Sequence, residues 1–545
     1  MWASLALRLT ACCLVVGRAQ EVGNIVRTTC GDVRGTIRST TTGSVIAYLG
    51  IPFAEPPVGK RRFGKPTQKK PWKGVLNATS LPPLCPQIPV RINNHFAVPE
   101  DGPFSEDCLF LNVFKPVRSE DSTLKPVIVY VPGGGFTFGG ISLKIYDPSE
   151  LAVRGDLVVV TIAYRVAPFG FLYLGTEDAP GNMGLYDQQL AMRWVKDNAL
   201  SFGGDPDVIT AMGQSAGAIS LGIHLLSPTS AGLFQRVYMQ SGSPFIRAFL
   251  SRPARARKNA LMLADSLDCR QRDSRELSMT EVVACLQSVE VDDILEATKG
   301  FEADGLSGFF PVLGDDFVPG SPRRALKTVA PNARDVLVSI CAAEGDFVVE
   351  HIFKNINNIV NVDVASERYM TLLVRLLIGK FTSADTEPVI ERYFGQVTAK
   401  KGVQVARAAA DVLGDFFFSC PAFTIARGLA AANTSVHVLV YDEKFSLLDW
   451  PEWIRSTHSD DLVFSLGSAL VLGGRPSDAD VKATENLINV VSTFSRTGVP
   501  KVMDGTEWPR FDEEGQYLHI QNGRSVQKKH FLESTCNFWD SILAD

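Results

Sequence analysis

The sequence predicts an α/β protein built on one large, mostly parallel sheet with helices on both faces. Short continuous apolar runs recur along the chain, helical patterns separate them, and neither an internal repeat nor a low-complexity linker interrupts the alternation. Unbroken apolar runs suit central strands covered on both sides, and regular alternation with helices suits right-handed parallel crossovers.

Strands are expected at 127–131, 157–164, 208–212, 237–240, 336–340 and 436–441. A helix is expected over 183–198, where Leu185, Leu190, Met192, Trp194 and Val195 are the apolar or aromatic positions. Upstream, residues 24–54 hold short β-branched runs broken at Gly31, Gly35, Gly43 and Gly50, the pattern of an antiparallel meander. A Pro-rich loop then runs from 52 to 107.

The chain has 545 residues, 45% hydrophobic and 21% charged, with a formal net charge of -5. That composition excludes a disordered, collagen-like or coiled-coil chain. At roughly 150 residues per domain the length alone suggests about three or four domains. The motifs described below must meet at one site, so a single domain over 20–545 is expected instead. The mild acidity is spread along the chain and leaves no basic stripe for a phosphate backbone, so nucleic acid is not expected as a partner.

Residues 2–16 are apolar apart from Arg8 and the hydroxyls of Ser4 and Thr10, and Gly17 and Ala19 are the small residues at a cleavage point before Gln20. The segment 1–19 therefore reads as a signal peptide, and a secreted protein follows. No later stretch is long and uncharged enough to span a membrane. The cysteines form no CxxC pair and no zinc-type spacing, so neither a metal nor a cofactor is expected. Asn77 and Asn433 open glycosylation triplets, in keeping with a secreted surface.

Gly213-Gln214-Ser215-Ala216-Gly217 follows the strand at 208–212 and precedes an apolar helical run. A serine between small residues at a strand-to-helix turn is a nucleophile elbow, which lifts the hydroxyl above the sheet edge. An acyl-transfer serine also needs donors for the developing oxyanion. Gly133-Gly134-Gly135 ends the strand at 127–131, where backbone N–H groups can turn toward one point. Gly134, Gly135 and Ala216 are the expected donors.

Three further motifs complete a pattern. Ser105-Glu106-Asp107-Cys108-Leu109-Phe110-Leu111-Asn112, Gly181-Asn182-Met183-Gly184-Leu185-Tyr186-Asp187-Gln188 and Phe202-Gly203-Gly204-Asp205-Pro206 stand in order before the elbow. With them the chain resembles the type-B carboxylesterase and cholinesterase family of α/β-hydrolases over nearly its whole mature length. The resemblance implies an α/β-hydrolase fold and a Ser-Glu-His triad. Ser215 is then the nucleophile, His458 the general base and acid, and Glu344 the carboxylate that orients it. It also implies ion pairs Arg62–Glu106 and Arg165–Asp187, a supporting serine at Ser241, and disulfides Cys85–Cys108, Cys269–Cys285 and Cys420–Cys536. Cys30 and Cys341 are left free.

Departures from the family pattern narrow the substrate. Cholinesterases carry a tryptophan in the first disulfide loop, whereas the loop here has Phe96 and Phe104 and no Trp. Gln214 stands in place of their glutamate beside the serine. Ala248, Gly305 and Ser307 stand where they have large aromatic rings; with Phe309, these residues form the expected acyl pocket. Pro132 replaces the usual residue before the glycines. Arg455 replaces the glycine of juvenile hormone esterases. The expectation is a secreted carboxylesterase for uncharged carboxylic esters among small molecules, its acyl pocket widened for bulkier acyl groups, and a monomer or weak homodimer. A cholinesterase-like or juvenile-hormone-esterase-like hydrolase and a non-catalytic neuroligin-like adhesion protein are the alternatives.

Overall fold

The computed structural model describes residues 24–117, 123–272, 275–301, 308–356 and 362–543. The expected signal peptide at 1–19 and the pocket positions Gly305 and Ser307 lie outside them.

An 11-stranded sheet organises the chain. In chain order its strands are β1 (Thr36–Ser39), β2 (Ser44–Pro52), β3 (Phe110–Pro116), β4 (Lys125–Val131), β5 (Val158–Ile162) and β6 (Gly204–Gln214). They continue with β7 (Arg236–Gln240), β8 (Asp335–Cys341), β9 (Ser435–Asp442), β10 (Tyr517–Gln521) and β11 (Arg524–Lys528). In space they lie in the order β11-β10-β9-β8-β7-β6-β4-β5-β3-β2-β1. Pairing is parallel from β10 through β5 and antiparallel at both edges. This is the α/β-hydrolase fold.

The apolar runs behave as central strands for a simple reason. Every residue of β4 is buried, and alternate side chains enter different cores. Val127, Val129 and Val131 join one core, and Ile128 and Tyr130 the other. Leu151 and Ala152 of α1 (Ser149–Gly155) lie in the second core. The first core takes in Leu185 and Trp194 of α2 (Met183–Asn198), and Ile219 and Leu221 of α3 (Ala216–Leu226), a helix buried on every side.

The expected meander is divided between two sheets. Ile25–Arg27 and Asp32–Arg34 form a small sheet with Val75–Asn77, and only β1 and β2 join the large one. Val75–Asn77 lies inside the stretch read as loop, too short and exposed to leave an apolar signature. The β10–β11 hairpin was also outside the expectation. Alternate residues of β10 are buried, but β11 is largely exposed, so its sequence is that of a solvated edge.

Three disulfides join Cys85 to Cys108, Cys269 to Cys285 and Cys420 to Cys536, while Cys30 and Cys341 are free and buried. The helical stretch Val403–Ala431 has the length and apolarity to cross a membrane, yet it is mostly buried within the protein. Its buried residues belong to the first core, so it reads as a core helix.

Cys420–Cys536 closes a sequence separation of 116 residues and fastens the C-terminal helix Glu533–Ile542 to the core. On the chain-entropy account, the double substitution Cys420→Ala/Cys536→Ala lowers unfolding stability by roughly 3–5 kcal/mol. Equilibrium denaturation checks this, and an unchanged midpoint contradicts it.

Candidate active site

Ser215 lies at the junction of β6 and α3 with φ 55 and ψ -124, a conformation side chains other than glycine rarely adopt. The chain can make this turn because its glycines allow close contact. A Cβ on Gly217 would fall 2.0 Å from the Val131 carbonyl oxygen at the end of β4. The elbow is therefore pressed against the loop that carries the three glycines. Gly134 and Gly135 both have positive φ, and Thr137 and Phe138 donate to the Gly134 carbonyl, closing that loop. Among the described residues the N–H groups of Gly134, Gly135 and Ala216 make no hydrogen bond.

Glu344 opens helix α4 (Glu344–His351) directly after β8. Its position requires a second close approach, since a Cβ on Gly345 would meet the Ala410 carbonyl oxygen at 1.8 Å. Glu344 is 2% exposed, and its carboxylate is fully engaged. Oε2 faces His458 Nδ1 at 2.7 Å, while Oε1 accepts from the Ser241 hydroxyl at 2.6 Å and the Cys341 amide at 2.7 Å.

His458 is itself buried between Phe418, with ring centres 4.4 Å apart, and Phe347, at 5.4 Å. Its Nε2 lies 3.1 Å from Gln214 Nε2, and the same amide donates to the Ser459 hydroxyl at 2.9 Å. A neutral imidazole with its proton on Nδ1 satisfies both contacts, donating to Glu344 and accepting from Gln214. Among the described residues the Ser215 hydroxyl has no hydrogen-bond partner.

The loop that carries His458 is held from several sides. Arg455 bridges Asp346 at 2.7 Å and Asp411 at 2.6 Å, joining the loop to α4 and to α5 (Val403–Gly414). Asp460 accepts from the Thr457 amide and the Trp450 indole, and Asp461 from Gln240 and Ser339. Burial pushes these two carboxyls up to about 7 and about 6. Farther away, Arg62 grips Glu106 through two nitrogens, and Arg165 does the same to Asp187.

These groups open on a pocket of about 150 Å³. Ser215, Gly134, Gly135, Gln214 and His458 reach it, and rings of Phe96, Phe138, Phe249, Phe347, Phe417 and Phe418 wall it. Among the described residues no carboxylate lines it. Among the described residues no group of three or more His, Cys, Asp or Glu could hold a metal ion.

The carboxylesterase family pattern matches residues 22–539. The chain belongs to the carboxylesterase family. It is 33% identical to an acetylcholinesterase of Bungarus fasciatus over 556 residues, covering 99% of this chain and 90% of that protein. It is 32% identical to acetylcholinesterase-1 of Trittame loki over 535 residues, covering 96% of this chain and 95% of that one. Family membership supports a carboxylic ester hydrolase.

In this carboxylesterase-family chain the expected acyl-pocket residues divide. Ala248 lines the pocket, but Phe309 does not: its ring packs on Phe301, and Phe310 is the one that meets the pocket wall at Phe249. Phe347, His351, Phe417 and Phe418 line the pocket without having been singled out from the sequence. Two signals were available: Phe347 lies one turn beyond Glu344, and Phe416-Phe417-Phe418 is an uninterrupted aromatic run.

That run sits on a π-turn, Asp415–Ser419, between α5 and α6 (Cys420–Ala431). Asp415 accepts from the Tyr393 hydroxyl at 2.7 Å, and Tyr393 accepts from the Trp539 indole at 2.9 Å. Burial pushes the Asp415 carboxyl from 3.8 up to about 7. The folded protein therefore holds this proton more tightly than the unfolded chain, and stability falls as pH rises toward about 7, by up to ~1.4 kcal/mol per pH unit. Asp415→Asn keeps the Tyr393 bond and removes the charge. Its melting temperature should exceed the wild type's at pH ~8, and the excess should shrink as pH falls toward about 4. A difference independent of pH would contradict this assignment.

Proposed function

We propose that the protein is a secreted serine carboxylesterase that hydrolyses uncharged carboxylic esters through an acyl-enzyme on Ser215. The observation that carries this reading is the buried Glu344–His458 pair, whose imidazole lines an apolar pocket together with the Ser215 elbow. On substrate binding the ester displaces the Gln214 amide, and His458 Nε2 takes the Ser215 proton as the hydroxyl attacks the carbonyl carbon. The carbonyl oxygen becomes an oxyanion against the unused amides of Gly134, Gly135 and Ala216. His458 then protonates the departing alcohol. Water repeats the cycle on the acyl-enzyme and releases the acid, while Glu344 keeps the imidazole tautomer and stabilises its charged form.

The lining argues against a choline ester. A quaternary ammonium gains from a carboxylate or a tryptophan face, and the pocket offers phenylalanines, Gln214 and the cation Lys380. Ala248 leaves acyl space where a ring would close it. Three disulfides and the exposed Asn77 and Asn433 favour an oxidising, extracellular setting with glycans at both asparagines.

Hydrolysis of p-nitrophenyl butyrate by wild type and Ser215→Ala tests the proposal. The variant should lose about 10³-fold or more in kcat/KM. Equal rates would overturn the mechanism, and acetylthiocholine turnover matching butyrate would overturn the substrate class.

A further inference from the structure

A second cavity, of about 580 Å³, lies against the ester pocket. Lys380 and Phe381 line both. The turn Arg247–Phe249 stands between them, with Arg247 lining the second cavity and Ala248 and Phe249 the ester pocket.

The second cavity is strongly basic. Arg247, Arg252, Arg255 and Arg323 line it, with Lys380 at its border with the ester pocket, and among the described residues no carboxylate does. Arg323 has the Asp540 carboxylate at 3.8 Å, but Asp540 also pairs with Arg427 at 3.0 Å, so one negative charge is divided between two guanidiniums. Burial pulls the Arg323 guanidinium below its usual value; the Arg247 and Arg427 charges act in the same direction and Asp540 opposes them. Among the described residues Arg252 and Arg255 have no carboxylate within ion-pair distance.

Backbone charge adds to this. Arg252 is the N-cap of the 14-residue helix Pro253–Ser266, whose first turn has no side-chain cap and no acidic residue. Its unpaired N–H groups carry partial positive charge beside the arginines. Apart from Ser321 the remaining wall is apolar, with Phe245, Leu250, Leu313 and Phe381.

We propose that this cavity binds an amphiphilic organic anion, a short apolar chain ending in a carboxylate, sulfate or phosphate. The guanidiniums would hold the anionic head through charge-assisted hydrogen bonds. The apolar wall would cover the tail, which a bare inorganic anion lacks. This assignment stands whether or not the neighbouring pocket hydrolyses esters.

Calorimetric titration of the full chain with octanoate, 1-octanol and inorganic phosphate tests it, comparing wild type with Arg252→Glu/Arg255→Glu. Arg255→Glu places an acid in the first turn of the helix and Arg252→Glu places one beside the same positive helix end, where negative charge is favourable, so the fold should persist, as an unchanged melting temperature would verify. Octanoate should bind wild type and bind the double variant about tenfold more weakly or worse, with octanol unaffected by the change. Octanoate affinity that is undetectable in wild type, unchanged in the variant or matched by octanol would overturn the site. Phosphate binding as tightly as octanoate would overturn its amphiphilic character.

Discussion

Burying a carboxylate without partners costs several kcal/mol, and Glu344 is almost wholly removed from water. Three donors offset that cost: the Ser241 hydroxyl, the Cys341 amide and the Nδ1–H of His458. Each comes from a different strand end or loop, so the pair can exist only if β7, β8 and the His458 loop finish at one level of the sheet. The Arg455 bridge to Asp346 and Asp411 fixes the last of these.

The Ser215 elbow imposes a matching constraint from the other side. Its backbone conformation is strained, and it is tolerated because Gly217 lets α3 touch the end of β4. That contact brings the glycine loop and the serine together. Gln214 then spans the remaining gap, reaching His458 and Ser459 from β6. In the proposed mechanism this amide holds the imidazole tautomer with its proton on Nδ1 until a substrate replaces it.

Central strands could be read from the sequence because burial on both faces leaves an unbroken apolar run, as in β4. Edge elements such as Val75–Asn77 and β11 could not, since solvent exposure imposes no such pattern. Ser215 and the glycines announced themselves through local backbone demands. Glu344 and His458 did not: an EG pair and a lone histidine carry no geometric signature, and the family resemblance supplied them. The pocket walls were harder still. Phe347, Phe417 and Phe418 converge from separate helices, and Phe309 faces Phe301 while its neighbour Phe310 reaches the wall.

The account rests on the Glu344–His458 pair activating Ser215, and the rate of covalent labelling by an alkyl fluorophosphonate, followed by intact mass and peptide mapping, tests it most directly. Wild type should label rapidly at Ser215 alone, and Glu344→Gln, which keeps the shape but removes the charge, should label slower by about 10²-fold or more. Equal labelling rates in the two proteins, or an adduct on another residue, would contradict it.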